Sequence, residues 1–145
     1  MNFFSSMNVS SSALTAERTR MNLISSNLAN AGTTRTPEGG PYKRKDAVFT
    51  ATPAQSGFSR ALSGAAGQNV RQVEVTQVVE DQSPPRMHYD PGHPDANPQG
   101  YVAMPNVNVM EEMADMISAT RAYEANVTAV QAAKSMALKA LEIGR

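Results

Sequence analysis

Helical periodicity is confined to the two ends of this chain, and a stretch rich in Pro, Gly and polar residues separates them. A core must therefore come largely from the ends meeting each other or meeting neighbouring molecules. In the N-terminal segment Met7, Leu14, Met21 and Leu28 recur every seven residues, with Phe3, Phe4 and Ile24 beside the same stripe. That spacing predicts a helix over about 2–31. The alternate seam positions Ser11, Arg18 and Ser25 are small or polar, so the helix should fray when isolated. Gly32 is placed to stop it, and Thr36-Pro37 followed by Gly39-Gly40-Pro41 forbids continuation.

At the other end, Pro105 precedes Asn108, whose side chain can accept first-turn amides, and Glu111 stands three residues on in the relation of a capping box. Glu111, Glu112 and Asp115 lie at the positive end of the expected helix, and Lys134, Lys139 and Arg145 toward its negative end. Capping and dipole complement account for all three acids. Met113, Met116, Tyr123, Val127, Val130, Ala137 and Leu141 share one seam, widened by Met110, Ile117 and Leu138 and interrupted by Thr120 and Lys134. The pattern predicts a helix over 109–143.

Between the arms, Val70 to Val79 is the best strand, with Val73, Val75 and Val79 expected on one side. Pro84-Pro85 breaks it. Met87 to Tyr89 is a candidate return partner, with Ala47 to Ala51 and Tyr101 to Ala103 as further ones. Residues 51–69 read as a flexible loop. The expected fold is mainly α, with long N- and C-terminal helices pairing as a coiled-coil-like hairpin around a small extended or β middle. That divides the chain into an arm over 1–33, a middle over 34–106 and an arm over 107–145.

Composition narrows the function classes. Nine Met, no Trp and eight Phe plus Tyr favour soft, adaptable seams. Thirteen basic and thirteen acidic groups cancel, which removes the whole-molecule field that non-specific nucleic-acid binding needs. The local run Lys43-Arg44-Lys45 is too short for such a patch and reads as a solvated loop. The absence of Cys removes disulfides, thiolate nucleophiles and Cys-ligated metal. The start of the sequence has neither a basic n-region nor an apolar h-region, so export would use a route without signal cleavage.

His88 and His93, the only two histidines, lie near Asp90 and Asp95 in the connector from Tyr89 to Tyr101. A catalytic metal would want three such ligands converging on a preformed pocket. Pro91, Pro94 and Pro98 with Gly92 and Gly100 point instead to a stiff turn, centred on Asp90, Pro91, Gly92, His93 and Pro94, whose Asp and Asn side chains hold backbone amides. The adjacent Glu111 and Glu112 project in different directions, and the N-terminal serines lack a nucleophile elbow, so neither an enzyme, a cofactor nor a small-molecule substrate is indicated. Asn27 and Asn30 are poor helix-interior residues. Asn30 reads as an end signal. For Asn27, helix termination and a bond to a neighbouring helix that fixes register both stand.

Ser25-Ser26-Asn27-Leu28-Ala29-Asn30 near one end resembles the N-terminal signature of the bacterial flagellar rod and hook protein family. Pro105-Asn106-Val107-Asn108 with Glu111-Glu112-Met113, then Arg121-Ala122-Tyr123-Glu124-Ala125-Asn126, resembles its C-terminal signature. The short length and Tyr89-Asp90-Pro91-Gly92-His93-Pro94 are similar to proximal-rod members. The resemblance implies a structural subunit of the periplasm-crossing drive shaft, exported unfolded by the flagellar type III apparatus and required for motility. It also implies that the terminal helices pack against other copies and other rod proteins, with Met7, Leu14, Met21, Ile24, Asn27, Leu28, Asn30, Met113, Met116, Ile117, Tyr123, Val127, Val130, Leu138 and Leu141 as the assembly surface. The rival reading is a soluble helical-hairpin adaptor that forms closed oligomers.

Overall fold

A computed structural model describes residues 3–53 and 71–143, the side chains of Phe3 and Phe4 excepted. Its elements run α1 (Phe3–Ala29), β1 (Lys45–Pro53), β2 (Arg71–Glu80), β3 (Arg86–Tyr89), β4 (Tyr101–Met104) and α2 (Val109–Ile143). Helix α1 packs on α2 and also on the pair β1–β2. Two contacts fix the relative direction of the helices: Asn27 meets Glu112, and Met21 meets Thr120. As residue numbers fall along α1 they rise along α2, so the helices run antiparallel.

The buried line of each helix differs from the expected Met and Leu seam. On α1 it passes through Ala16, Ile24 and Asn27, and on α2 through Glu112, Ala119 and Ala133. Alanine fills three of these buried positions, and small side chains let packed elements approach closely. Met7, Leu14, Met21 and Leu28 are half-buried, as are Met116, Tyr123, Val127 and Val130. Met113, Ile117, Leu138 and Leu141 are exposed.

Helix α1 ends at Ala29 without a left-handed glycine. Positive φ is confined, among the described residues, to Gly39, Gly40 and Gly100, so Gly32 is not the stop that its position suggested. Asn30 stands at the helix end instead. Its amide and its side-chain Nδ2 both donate to the Ser26 carbonyl, at 3.0 and 2.9 Å, and its Oδ1 accepts from Thr33 Oγ1. At α2, Asn108 Oδ1 accepts the Met110 amide at 3.2 Å. Glu111 does not complete a capping box. It is exposed and, among the described residues, makes no side-chain hydrogen bond, so its part is limited to charge at the positive helix end.

The strands pair differently from the first candidate. β2 takes β1 as its antiparallel partner, while β3 pairs with β4 from Arg86↔Met104 to Tyr89↔Tyr101. A register shift opposite Val48 and Phe49 leaves Thr76 as an extra residue on β2. Side chains alternate faces along a strand, so one inserted residue inverts the alternation beyond it. Val73 and Val75 therefore share a face with Val78, and Val79 turns to the other side. Val73 and Val75 sit against α1, where the Val73 amide donates to Ser12 Oγ at 3.2 Å. Residues 51–53, expected in a loop, finish β1; the rest of that loop and Val70 fall outside the described residues.

Candidate assembly interface

The chain puts its strongest interactions where α1, the segment before β1 and the start of α2 come together. Asn27 is 1% exposed and all its amide valences are used. Its Nδ2 donates to the Lys45 carbonyl at 2.9 Å and to Glu112 Oε2 at 3.0 Å; its Oδ1 accepts from the Lys45 amide at 2.9 Å and from Tyr42 Oη at 3.0 Å. A residue poorly suited to a helix interior is thus kept there by bonds to three other residues, Tyr42, Lys45 and Glu112. These bonds lie within the subunit, and the half-buried Asn30 side chain is likewise bonded within its own helix end.

Glu112 is likewise 1% exposed, a correction to its reading as a solvent-side dipole complement. Its Oε1 accepts from Arg44 Nε at 2.5 Å. Arg44 also reaches Asp46 Oδ2 at 3.3 Å and Asp115 Oδ2 at 3.8 Å, and Asp115 is bridged to Arg20 at 3.4 Å. Burial alone would lower the Arg44 pKa, but the hydrogen bond and charge of Glu112, helped by Asp46, outweigh it and raise it above the ordinary guanidinium value. Lys45 pairs with Glu80 at 3.4 Å. The Lys43-Arg44-Lys45 run is therefore only in part a solvated basic loop: Arg44 turns in to Glu112, while Lys43 is exposed and Lys45 meets Glu80 in an exposed pair. The Arg44 amide donates to Asn106 Oδ1 at 3.0 Å, while Asn106 Nδ2 is buried without a hydrogen-bond partner among the described residues.

The connector between β3 and β4 is a second joint. Asp90 Oδ1 accepts the Gly92 amide at 3.1 Å, and Asn97 Oδ1 accepts those of Gln99 and Tyr101. Gly100 has φ +82°, and a Cβ there would come 2.8 Å from the Tyr89 ring, so glycine is required for the turn to close. Asp95 ties the connector to the end of α1, accepting from Thr34 Oγ1 at 2.8 Å and pairing with Arg35 at 2.7 Å. His93 Nδ1 accepts the Asp95 amide at 3.1 Å, whereas His88 lies on β3 opposite Val102. Among the described residues, no three His, Asp or Glu side chains lie together as a metal site.

Sequence reasoning missed Glu112, Arg44 and Tyr42. One signal for Glu112 was available: it continues the stripe Ala119, Tyr123, Val130, Ala133 and Ala137 back to the first turn of α2. An acid on an inward stripe implies a buried partner.

Part of the surface left uncovered is apolar. Met110, Met113 and Ile117 at the start of α2, and Leu138, Leu141 and Ile143 at its end, stand exposed, beside a fully buried apolar core of Ala16, Ile24, Val102, Val107, Ala119 and Ala133 among the described residues. No described helix is long and apolar enough to cross a membrane.

Residues 7–35 match the family model for flagella basal body rod protein, and residues 99–143 the one for flagellar basal body rod FlgEFG protein C-terminal. The flagellar basal-body rod protein FlgC of Bacillus subtilis (strain 168) is 48% identical over 100% of both chains. That of Borreliella burgdorferi is 47% identical over 99% of this chain and 98% of its own. That of Escherichia coli O157:H7 is 42% identical over 94% of each.

Proposed function

This chain belongs to the FlgC family of flagellar basal-body rod proteins, and from that premise we propose that it is a non-enzymatic structural subunit of the proximal rod, built to be completed by its neighbours. One observation carries the reading: large apolar side chains at both ends of α2 are left in water beside a core made mostly of alanine and valine. Exposed apolar strips of this kind mark interaction surfaces. In this reading the arms over 1–33 and 107–145 pair as a coiled-coil-like hairpin. The half-buried Met7, Leu14, Met21 and Leu28, with Met116, Tyr123, Val127 and Val130, become fully covered when adjacent subunits pack against them. Met113, Ile117, Leu138 and Leu141 face those neighbours directly. The middle over 34–106 faces outward.

Partners are then other copies of the chain, other rod proteins and, during delivery, the flagellar type III export apparatus, with the periplasm-crossing part of the basal body as the destination. Weak arms suit that route, since a segment that gains order only from its neighbours travels unfolded through a narrow channel without resistance. Contacts between different surfaces propagate along an axis instead of closing as a dimer. Motility depends on the resulting shaft.

Mass spectrometry of detergent-extracted, purified hook and basal-body particles from the source cell tests this. Stoichiometric presence of the chain is expected; absence from intact particles overturns the rod reading. A well-folded, discrete oligomer in dilute solution would favour the closed adaptor, whereas the rod subunit should be a monomer with mobile ends.

A further inference from the structure

We propose that the groove where β3, β4 and the start of α2 meet binds a soft monovalent metal ion, Cu(I), through the imidazole of His88 and the thioethers of Met104 and Met110. Strand pairing brings the first two ligands together. His88 stands opposite Val102, and Met104 opposite Arg86. Paired residues share a face, and so do alternate ones, which puts His88 and Met104 on one face as diagonal neighbours roughly 7–8 Å apart. Two long side chains at that separation can reach one ion between them. The third ligand comes from the next element. The chain leaves β4 at Met104 and enters α2 at Val109, and Met110 in its first turn lines the same groove of about 370 Å³ as His88 and Met104. Met87 also borders this groove, but it belongs to the other face of β3 and is left out of the set.

The donors select the metal. Thioether sulfur is soft and neutral, and imidazole suits copper as well. No carboxylate lines the groove and the chain has no Cys, so the oxygen ligands that Mg²⁺ and Ca²⁺ require and the thiolates favoured by Zn²⁺ are missing. Asn108, the one side-chain amide in the lining, spends its Oδ1 on the Met110 amide at 3.2 Å. Exposed Arg86 at the rim and the positive end of the α2 dipole both repel cations. A monovalent ion feels half the repulsion of a dication, and Glu111, exposed in the same helical turn, offsets part of it.

The ligands are also available. Met110 is 75% exposed, His88 is exposed and Met104 is half-buried, so the groove is open on one side and rests on the protein on the other. His93 differs, because its Nδ1 already accepts the Asp95 amide. An ion held by His88, Met104 and Met110 ties β3, β4 and α2 at one point, and its binding therefore stabilises this junction.

The test titrates the purified full chain, carrying methyl-labelled methionine, with silver nitrate in chloride-free buffer and follows the methyl and imidazole signals by NMR. Ag(I) stands in for Cu(I) as a soft monovalent ion that air does not oxidise. At one equivalent the Met104 and Met110 methyls and the His88 ring should move together and saturate, while Met136, 64% exposed on the same helix, stays in place. Met104→Leu combined with Met110→Leu should abolish this tight phase, and His88→Ala should weaken it at least about tenfold. Leucine nearly conserves the methionine volume and His88 is exposed, so the fold should survive, as the amide spectrum will check. If a variant does lose its fold, the wild-type pattern decides alone. Anaerobic competition with bicinchoninic acid reads the same losses with Cu(I) itself. Equal responses from Met110 and Met136, movement of the methyls without His88, a tight phase that survives the folded variants, or no response to excess silver each overturns the assignment. The rod reading stands in every one of these cases, since it rests on the composition of basal bodies.

Discussion

Removal of the Glu112 carboxylate should open the joint between α1 and α2. Breaking a buried ion pair from one side costs about 3–5 kcal/mol when the stranded charge has no other recourse. Arg44 has some: its side chain is 22% exposed and it keeps Asp46 at 3.3 Å and Asp115 at 3.8 Å. Asn27 also loses one bond from Nδ2 but retains those to Lys45 and Tyr42. We therefore expect Glu112→Ala to cost about 2–4 kcal/mol, and Glu112→Gln, which keeps shape and an acceptor but no charge, about 1–2 kcal/mol. Amide hydrogen exchange reads this locally, because the Lys45 amide donates to Asn27 Oδ1 at 2.9 Å. At tenfold per 1.4 kcal/mol, Glu112→Ala should speed Lys45 exchange roughly 30- to 700-fold. If the Lys45 rate is unchanged in Glu112→Ala while Asn27→Ala accelerates it, the ion pair contributes nothing and the joint rests on the asparagine alone.

Four other outcomes are expected. Gly100→Ala should cost about 1–3 kcal/mol, from positive φ and the 2.8 Å approach to Tyr89, and lower the calorimetric melting temperature. Gly32→Ala, with open space around it and no positive φ, should leave that temperature unchanged or raise it slightly. Arg35→Ala should cost less than about 1 kcal/mol in urea unfolding because Arg35 is largely exposed, whereas Asp95→Ala should cost more by also releasing Thr34. Asp81 is held below its ordinary value of 3.8 by hydrogen bonds from the Ser83 side chain and amide. Its contribution to stability is present above the unfolded value and is lost as pH falls through the folded one. A carboxyl-carbon NMR titration with a midpoint at or above the free-Asp value would contradict that sign.

Much of the fold was legible because it rests on local rules. Residue patterning placed α2 over 109–143, and the structure has Val109–Ile143. Asn108 capped it as its side-chain chemistry required. Asn30 stands at the end of α1, where Thr33 Oγ1 donates to its Oδ1. The glycine stop and the capping-box partner failed because each named a residue able to adopt a local geometry that a neighbour then made unnecessary. Two long helices around a small strand region, together with a paired-end signature, could therefore be read from the chain alone.

Tertiary structure decided what periodicity cannot encode. Which side of each helix is innermost depends on what packs against it, so Ala16, Ala119 and Ala133 are buried while the heavier Met and Leu seam positions stay half-buried or exposed. One extra residue in β2 sent Val79 away from the side shared by Val73 and Val75. Arg44, Asn27 and Glu112 are far apart in the chain, and no local pattern states that they meet. Burying an acid is tolerable only where a guanidinium and an amide converge on it, and that convergence exists only once the helices have packed.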